Sequence, residues 1–320
     1  MKILANDGIS LAGKILLERE GFEVITTFVA QEQLADYINK HQFEVLLVRS
    51  ATKVRKELID ATSLKIIGRG GVGMDNIDVE YARSKGIAVF NTPASSSNSV
   101  AEMVMAHAYS IYRNLHQSNR MMPLEGEIHF NALKKEYSKA QELRGKTMGI
   151  IGFGRIGREV AKLAIGAGMK VLAYDRTYKE ADVPVEFFDG QCMMFHFDIQ
   201  SFEDVISQSD IITLHIPSQE KYIIDSEIIS KMKDGVVIIN TARGGIVCEE
   251  DLIDAIEDGK VRGAALDVFE QEPNPSVRLL MNEKLSLTPH LGGSTEEAQE
   301  RIGIELAEQI IGFYRDSKLS

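Results

Sequence analysis

Apolar positions in the first hundred residues fall into short runs at 2–5, 24–26, 45–48 and 64–68, rich in Val, Ile and Leu. Between them, 11–19, 31–39 and 54–61 repeat apolar residues every three to four positions, the spacing of amphipathic helices. Strands alternating with helices predict a parallel sheet, hence an α/β domain. The turn-rich stretch Thr92-Pro93-Ala94-Ser95-Ser96-Ser97-Asn98 ends it, and a helix is expected near Ser99, where Ser99 and Glu102 fit a capping box. Val100, Met103, Val104, His107, Ala108, Ile111 and Leu115 share one broad face of that helix. A subunit interface or packing between domains would bury it, and His107 reads as a core histidine.

From residue 146 the alternation resumes, with strands expected around Met148, Lys170, Ile211, Val236, Gly263 and Leu285. Residues 182–198 interrupt it with Phe187, Phe188, Phe195 and Phe197 around Asp189-Gly190, which suggests a hairpin decorating the sheet. A last helix from Thr295 is apolar at Ala298, Ile302, Leu306, Ile310 and Phe313, long enough to return to the first domain. The expected fold is α/β, two doubly wound parallel-sheet (Rossmann-like) domains with a cleft between them. Residues 1–97 with 295–320 make the domain for the substrate, and 98–294 the dinucleotide domain.

Composition narrows the function. Lys and Arg number 36 against 47 Asp and Glu, a formal charge of −11 without blocks of like sign, so nucleic acid is a poor partner. Asp7 comes too early for a signal peptide and no apolar run is long enough to span a membrane, so a cytoplasmic protein without a membrane partner is expected. Cys192 and Cys248 lack C-x-x-C spacing, which suggests neither a disulfide framework nor a metal site.

The first chemical signal is Gly152-Phe153-Gly154-Arg155-Ile156-Gly157, placed directly after an apolar strand and opening a helix, with a second strand ending in Asp175. Gly152 permits the turn, Gly154 lets a pyrophosphate approach the helix N-terminus, and Gly157 lets helix and strand pack closely. Asp175 would accept from an adenosine ribose and repel a 2′-phosphate, which favours NAD. No such motif follows the first strand, where Asn6-Asp7-Gly8-Ile9 stands, so the first domain is assigned the other reactant.

Three further segments each follow an expected strand: Asn240-Thr241-Ala242-Arg243, Asp267 through Glu272-Pro273, and Thr288-Pro289-His290 with Gly292. Doubly wound folds bind ligands at that carboxyl edge. Reducing a keto acid by hydride transfer requires a cation for the carboxylate and carbonyl, an acid/base near neutrality, and a group holding that base's tautomer. Arg243, His290 and Glu272 fill these roles in that order.

With these motifs the chain resembles the D-2-hydroxyacid dehydrogenases over nearly its whole length. The resemblance implies that Arg243, Glu272 and His290 are catalytic, and that Phe153, Arg155, Ile156, His215, Pro217, Thr241, Ala242 and Gly292 contribute to the cofactor site. It places Asp267 near the nicotinamide carboxamide and implies homodimers through the helix at 99–115. The loop 68–78 matches the family's substrate loop, in which Gly71 and Val72 would hold the carboxylate by their N–H groups. Arg49-Ser50 resembles the corresponding loop of 3-phosphoglycerate dehydrogenases, so Arg49, Ser50 and Arg69 are assigned to a phosphorylated 2-hydroxy or 2-keto acid. Ending at Ser320, the chain resembles the short type and would lack a regulatory domain. Its departures are a longer linker at 121–137 and the Phe-rich segment. Two alternatives remain, a glyoxylate/hydroxypyruvate or D-lactate type reductase without a phosphate site, and an NAD-sensing corepressor with negligible turnover.

Overall fold

A computed structural model describes residues 1–316, and its contacts divide the chain into two units, Met1–Ser97 with the chain from Gly293 on, and Asn98–Gly292. The first unit runs β1 (Lys2–Ala5), α1 (Leu11–Arg19), β2 (Glu23–Ile25), α2 (Leu34–His41), β3 (Val45–Val48), α3 (Lys56–Asp60), β4 (Ile66–Arg69), α4 (Val79–Ser84) and β5 (Ala88–Asn91). Its strands are all parallel, in the doubly wound order β2-β1-β3-β4-β5. Every residue of β3 is buried, because alternate side chains enter two different cores. Val45 and Leu47 pack with Ile3 and Leu17, while Leu46 and Val48 pack with Leu34, Ile38 and Leu58 on the opposite face.

The second unit begins with α5 (Ser97–Tyr112) and α6 (Leu115–Glu136), followed by β6 (Thr147–Ile151), α7 (Arg155–Gly166), β7 (Lys170–Tyr174), β8 (Glu180–Glu186) and β9 (Cys192–Asp198). It continues with α8 (Phe202–Gln208), β10 (Ile211–Leu214), α9 (Ser226–Lys231), β11 (Val236–Asn240), α10 (Glu249–Glu257), β12 (Val261–Leu266), α11 (Val277–Leu280) and β13 (Leu285–Leu287). Six parallel strands form its sheet in the order β13-β12-β11-β10-β6-β7. The direction of winding reverses between β6 and β10, the topological switch point. Strands β8 and β9 stand apart as an antiparallel hairpin, with Ala181 and Val183 buried and Phe188 fully exposed. The final helix, α12 (Glu296–Asp316), belongs to the first unit, packing Ala307, Ile310 and Ile311 against the sheet face that holds Leu17. A side chain at Gly13 of α1 would collide with the backbone of Gly303, so these helices meet at glycine on both sides.

Four expectations need correction. Helix α5 starts at Ser97, not Ser99, since the Ser97 N–H already closes a turn on Ala94 O. Glu102 accepts from Asn98 Nδ2 at 3.1 Å. Residues 121–137 are mostly not linker but the second half of α6, which contains Pro123 and breaks its helical geometry at His129. The broad face of α5 is covered within its own unit, where Val104, Ala108 and Ile111 share a core with Met148, Ile150, Val237 and Ile239. Leu115 lies beyond that helix and is 52% exposed. The unit boundary falls before Gly293 rather than after residue 294, because Gly293 packs on Ser96 and its carbonyl accepts from Gln299. Among the described residues, no helix is long and apolar enough to cross a membrane.

Candidate active site

The glycine turn sits at the switch point. Gly152 has φ +96°, and a side chain there would run into the carbonyl of His215 at the end of β10. A Cβ at Gly157 would run into the carbonyl of Gly152, so α7 can lie against the turn only with glycine at this position. By contrast, Gly154 caps α7 and faces open space, leaving the N–H groups of the helix end in front of an unobstructed cradle. At the end of β7, Asp175 Oδ2 accepts from Phe153 N and Oδ1 from Thr177 N, both at 2.8 Å. That carboxylate is therefore held in place with lone pairs remaining on each oxygen. Phe153 offers the site only main chain, because its ring is fully buried against Phe197 of the hairpin. Arg155 is exposed and Ile156 half-buried.

Two polar atoms at this edge are buried without a partner, His215 Nδ1 and Thr241 Oγ1. Burial pushes the His215 imidazole down to about 3, so the ring is neutral, with Nε2 at 3.0 Å from Thr213 Oγ1. Ala242 N donates to Asn240 Oδ1, and Pro217 is exposed. The open cradle, the fixed acidic group and these orphaned atoms fit a dinucleotide.

The reaction groups follow adjacent strands. Asn240 of β11 pairs with Leu266 of β12, which pairs with Leu287 of β13, so the three segments leave the sheet at one level. A Cβ at Gly244 would collide with Phe269 O, showing how tightly the Arg243 loop lies on the Glu272 loop. His290 Nδ1 is 3.0 Å from Glu272 Oε2, and the other carboxylate oxygen accepts Phe269 N at 3.0 Å. The pair is open, with 47% and 38% of the two side chains exposed, and Nε2 is the ring nitrogen left for a reactant. His290 adopts φ +57°, and its N–H donates to Asp267 O at 2.8 Å. Arg243 Nη1 donates to Ala242 O at 2.6 Å, while Arg243 O accepts from Asn240 Nδ2. A cavity of about 390 Å³ adjoins the pair, walled by Phe269, Glu272, Pro273, Leu287, Thr288 and His290.

Sequence reasoning passed over the carboxylates that hold these loops. Glu249 Oε1 accepts Glu270 N at 2.7 Å, and Glu270 Oε1 accepts Glu249 N at 3.0 Å, which ties the Glu272 loop to the start of α10. Burial raises the Glu249 pKa. An acidic N-terminus to α10 was the available signal, but the reciprocal bond is not local.

In the first unit, Arg49 and Arg69 leave neighbouring strands, where Val48 pairs with Arg69. Asn76 ties the two loops together, donating to Arg49 O and Thr52 O and accepting Arg69 Nε at 3.0 Å. Asp7 accepts the N–H groups of Arg49 and Thr52 and the Thr52 hydroxyl. Neither Asn76 nor Asp7 was singled out, although Asn-Asp-Gly at a strand end is a turn signal. The Gly71 N–H donates to Arg69 O at 3.0 Å, and a side chain at Gly71 would meet the Arg69 guanidinium. Val72 and Ser50 are exposed.

Comparison with known proteins accords with this geometry. The family model described as D-isomer specific 2-hydroxyacid dehydrogenase, NAD binding domain, matches residues 105–292. The chain is 44% identical over 305 residues to a hydroxypyruvate reductase of Thermotoga maritima, covering 93% of both chains. It is 41% identical over 313 residues to a D-3-phosphoglycerate dehydrogenase of Methanocaldococcus jannaschii, where it spans 97% of its own length but 57% of that protein. Among solved structures, a glyoxylate reductase from Paecilomyes thermophila superposes with a TM-score of 0.81 at 30% identity, covering 97% of this chain and 94% of that one.

Proposed function

This chain belongs to the D-isomer specific 2-hydroxyacid dehydrogenases, NAD-dependent oxidoreductases, and from that premise we propose that it oxidises 3-phosphoglycerate to 3-phosphohydroxypyruvate, the first step of serine biosynthesis. The observation that carries the substrate is Arg49. Its guanidinium is half-buried and makes no ion pair among the described residues, and burial lowers its pKa with only partial opposition from the Asp7 charge. A desolvated cation of this kind is stabilised by an anionic ligand, and Arg69, at the end of the neighbouring strand, places a second guanidinium on the same sheet edge.

Bound NAD supplies the hydride carrier. In the reductive direction His290 gives its Nε2 proton to the substrate's keto oxygen, and Glu272, facing Nδ1, offsets the positive charge of the ring that donates it. Arg243 holds the substrate carboxylate and polarises the carbonyl. Oxidation reverses these steps, with neutral His290 as the base. Two copies of this cytoplasmic enzyme pair as a homodimer in this reading, which would cover the α6 residues Leu124, Ile128 and Phe130, now 74%, 81% and 55% exposed.

A second reading is favoured by one observation: the hydroxypyruvate reductase matches this chain over 93% of both lengths, whereas the phosphoglycerate dehydrogenase is much longer. Turnover of 3-phosphohydroxypyruvate against hydroxypyruvate separates the two. Under the proposed function Arg49→Ala raises KM for the phosphorylated substrate roughly 10- to 10²-fold, the loss of one charge-assisted hydrogen bond, and leaves KM for hydroxypyruvate nearly unchanged. Equal damage to both substrates, or a wild type that prefers hydroxypyruvate, sinks the phosphate site.

Cofactor choice gives another test. With Asp175 fixed by two backbone N–H groups, NADH is expected to exceed NADPH in kcat/KM by roughly 10²-fold, the scale of like-charge repulsion at close range. Asp175→Ala should narrow the gap, with the exposed Arg176 then free to favour the 2′-phosphate. Equal use of both cofactors by the wild type would remove Asp175 from the adenosine site.

A further inference from the structure

His107 on α5 is 3% exposed, yet its imidazole is not surrounded by carbon alone. Nδ1 lies 2.9 Å from Ser286 Oγ and Nε2 lies 3.1 Å from Thr288 Oγ1. Thr288 Oγ1 in turn is 2.6 Å from Asp267 Oδ1. The same Asp267 oxygen accepts Leu291 N at 2.7 Å, its Oδ2 accepts Gly292 N at 2.8 Å, and its main-chain carbonyl accepts His290 N at 2.8 Å. Asp267 thus binds three consecutive N–H groups of the turn that carries His290.

The hydrogens in this chain of contacts can be assigned by elimination. Asp267 takes backbone N–H donors on both oxygens, so it is the acceptor for Thr288, whose single hydroxyl proton is then spent. Thr288 oxygen must therefore receive a proton from His107 Nε2. A neutral imidazole carries one N–H, and burial keeps this ring neutral by lowering its pKa, with the Asp267 charge only partly opposing. Nδ1 is consequently bare and accepts from Ser286, whose competing contact with Ser110 Oγ is longer at 3.5 Å. Ser286, His107 and Thr288 each donate in one direction, toward the Asp267 carboxylate that accepts at the end, an arrangement in which each bond polarises the next.

The turn at the end of this chain is strained. His290 at φ +57° occupies the left-handed region, which a residue with a side chain keeps only where its surroundings over-determine it. Three bonds to Asp267 provide that determination. We propose that His107 is a positioning residue for the reaction: acting through Thr288, it fixes the Asp267 carboxylate and with it the turn that aims His290. Its catalytic consequence rests on the dehydrogenase reading, but the hydrogen-bond relay does not.

Two substitutions separate this role from that of a core residue satisfying its own polar atoms. The amide of His107→Gln reaches the position of Nε2 and keeps a donor for Thr288, whereas His107→Asn ends near Nδ1 and serves Ser286 only. The relay predicts kcat within about threefold of wild type for His107→Gln, and a loss of about tenfold or more for His107→Asn and for Thr288→Val. Combining His107→Asn with Thr288→Val should do no more damage than either alone. Hydrogen exchange of the peptide carrying Leu291 and Gly292, measured without substrate, should stay slow in wild type and His107→Gln and quicken in the other two variants. Equal kcat losses in His107→Gln and His107→Asn, or unchanged exchange in Thr288→Val, would overturn the relay. A wild type inactive on every 2-keto acid overturns the dehydrogenase reading instead, and the exchange measurement then still decides the relay. Should His107→Asn fail to fold, Thr288→Val carries both measurements.

Discussion

Replacing His290 by asparagine is expected to lower kcat by about 10²–10⁴-fold, the size of a lost general acid/base, with little change in melting temperature. The second half of that expectation comes from the backbone. Asparagine tolerates the left-handed region better than most residues, so φ +57° is retained, as is the N–H donated to Asp267 O. Since 47% of the side chain is exposed, little packing is lost. Steady-state turnover at saturating NADH together with thermal melting checks this, and a variant that keeps a tenth of wild-type kcat would show that His290 does not move the proton. Glu272→Gln should fall between wild type and His290→Asn. It keeps the size of the partner but removes the negative charge that faces Nδ1, so the ring loses the group that orients it and offsets its charge during proton transfer. A kcat equal to that of the wild type would separate Glu272 from the proton transfer.

Arg243→Ala should cost about 10²–10³-fold in kcat/KM, the effect of removing one preorganised group that stabilises developing charge. Arg243→Lys is expected to recover little of it. A lysine offers a point charge where a planar fork is needed to hold a carboxylate by two parallel bonds. The loop should survive either change, because Asn240 Nδ2 grips the main-chain carbonyl of residue 243 and Gly244 lies against Phe269 O whatever the side chain. Full recovery in the lysine variant would mean that Arg243 contributes charge alone.

The features legible in the sequence are those whose physical cause is local. A run such as Val45–Val48 is apolar at every position because a parallel strand covered on both faces buries every side chain, and that leaves a mark readable without any partner. The glycine turn is legible for the same reason, since Gly152, Gly154 and Gly157 answer to backbone constraints within one strand–turn–helix unit. Arg243, Glu272 and His290 could be grouped because each follows a strand, and parallel strands in register bring their carboxyl ends to one level.

What stayed hidden depends on partners distant along the chain. Periodicity shows which face of α5 is apolar but not that Met148, Ile150, Val237 and Ile239 cover it. That Gly71 N donates to Arg69 O is likewise a matter of loop geometry that glycine content does not fix. Asp7 organises the Arg49 loop from 42 residues away, and His107 meets Ser286 across 179. A hydrogen bond is satisfied by geometry rather than by composition, so a histidine on an apolar helix face has the same sequence signature whether it fills a core or orients the groups beside a reaction centre. Folding the sheet is what places Ser286 and Thr288 beside it, and the direction of every proton from Ser286 to Asp267 follows from that placement.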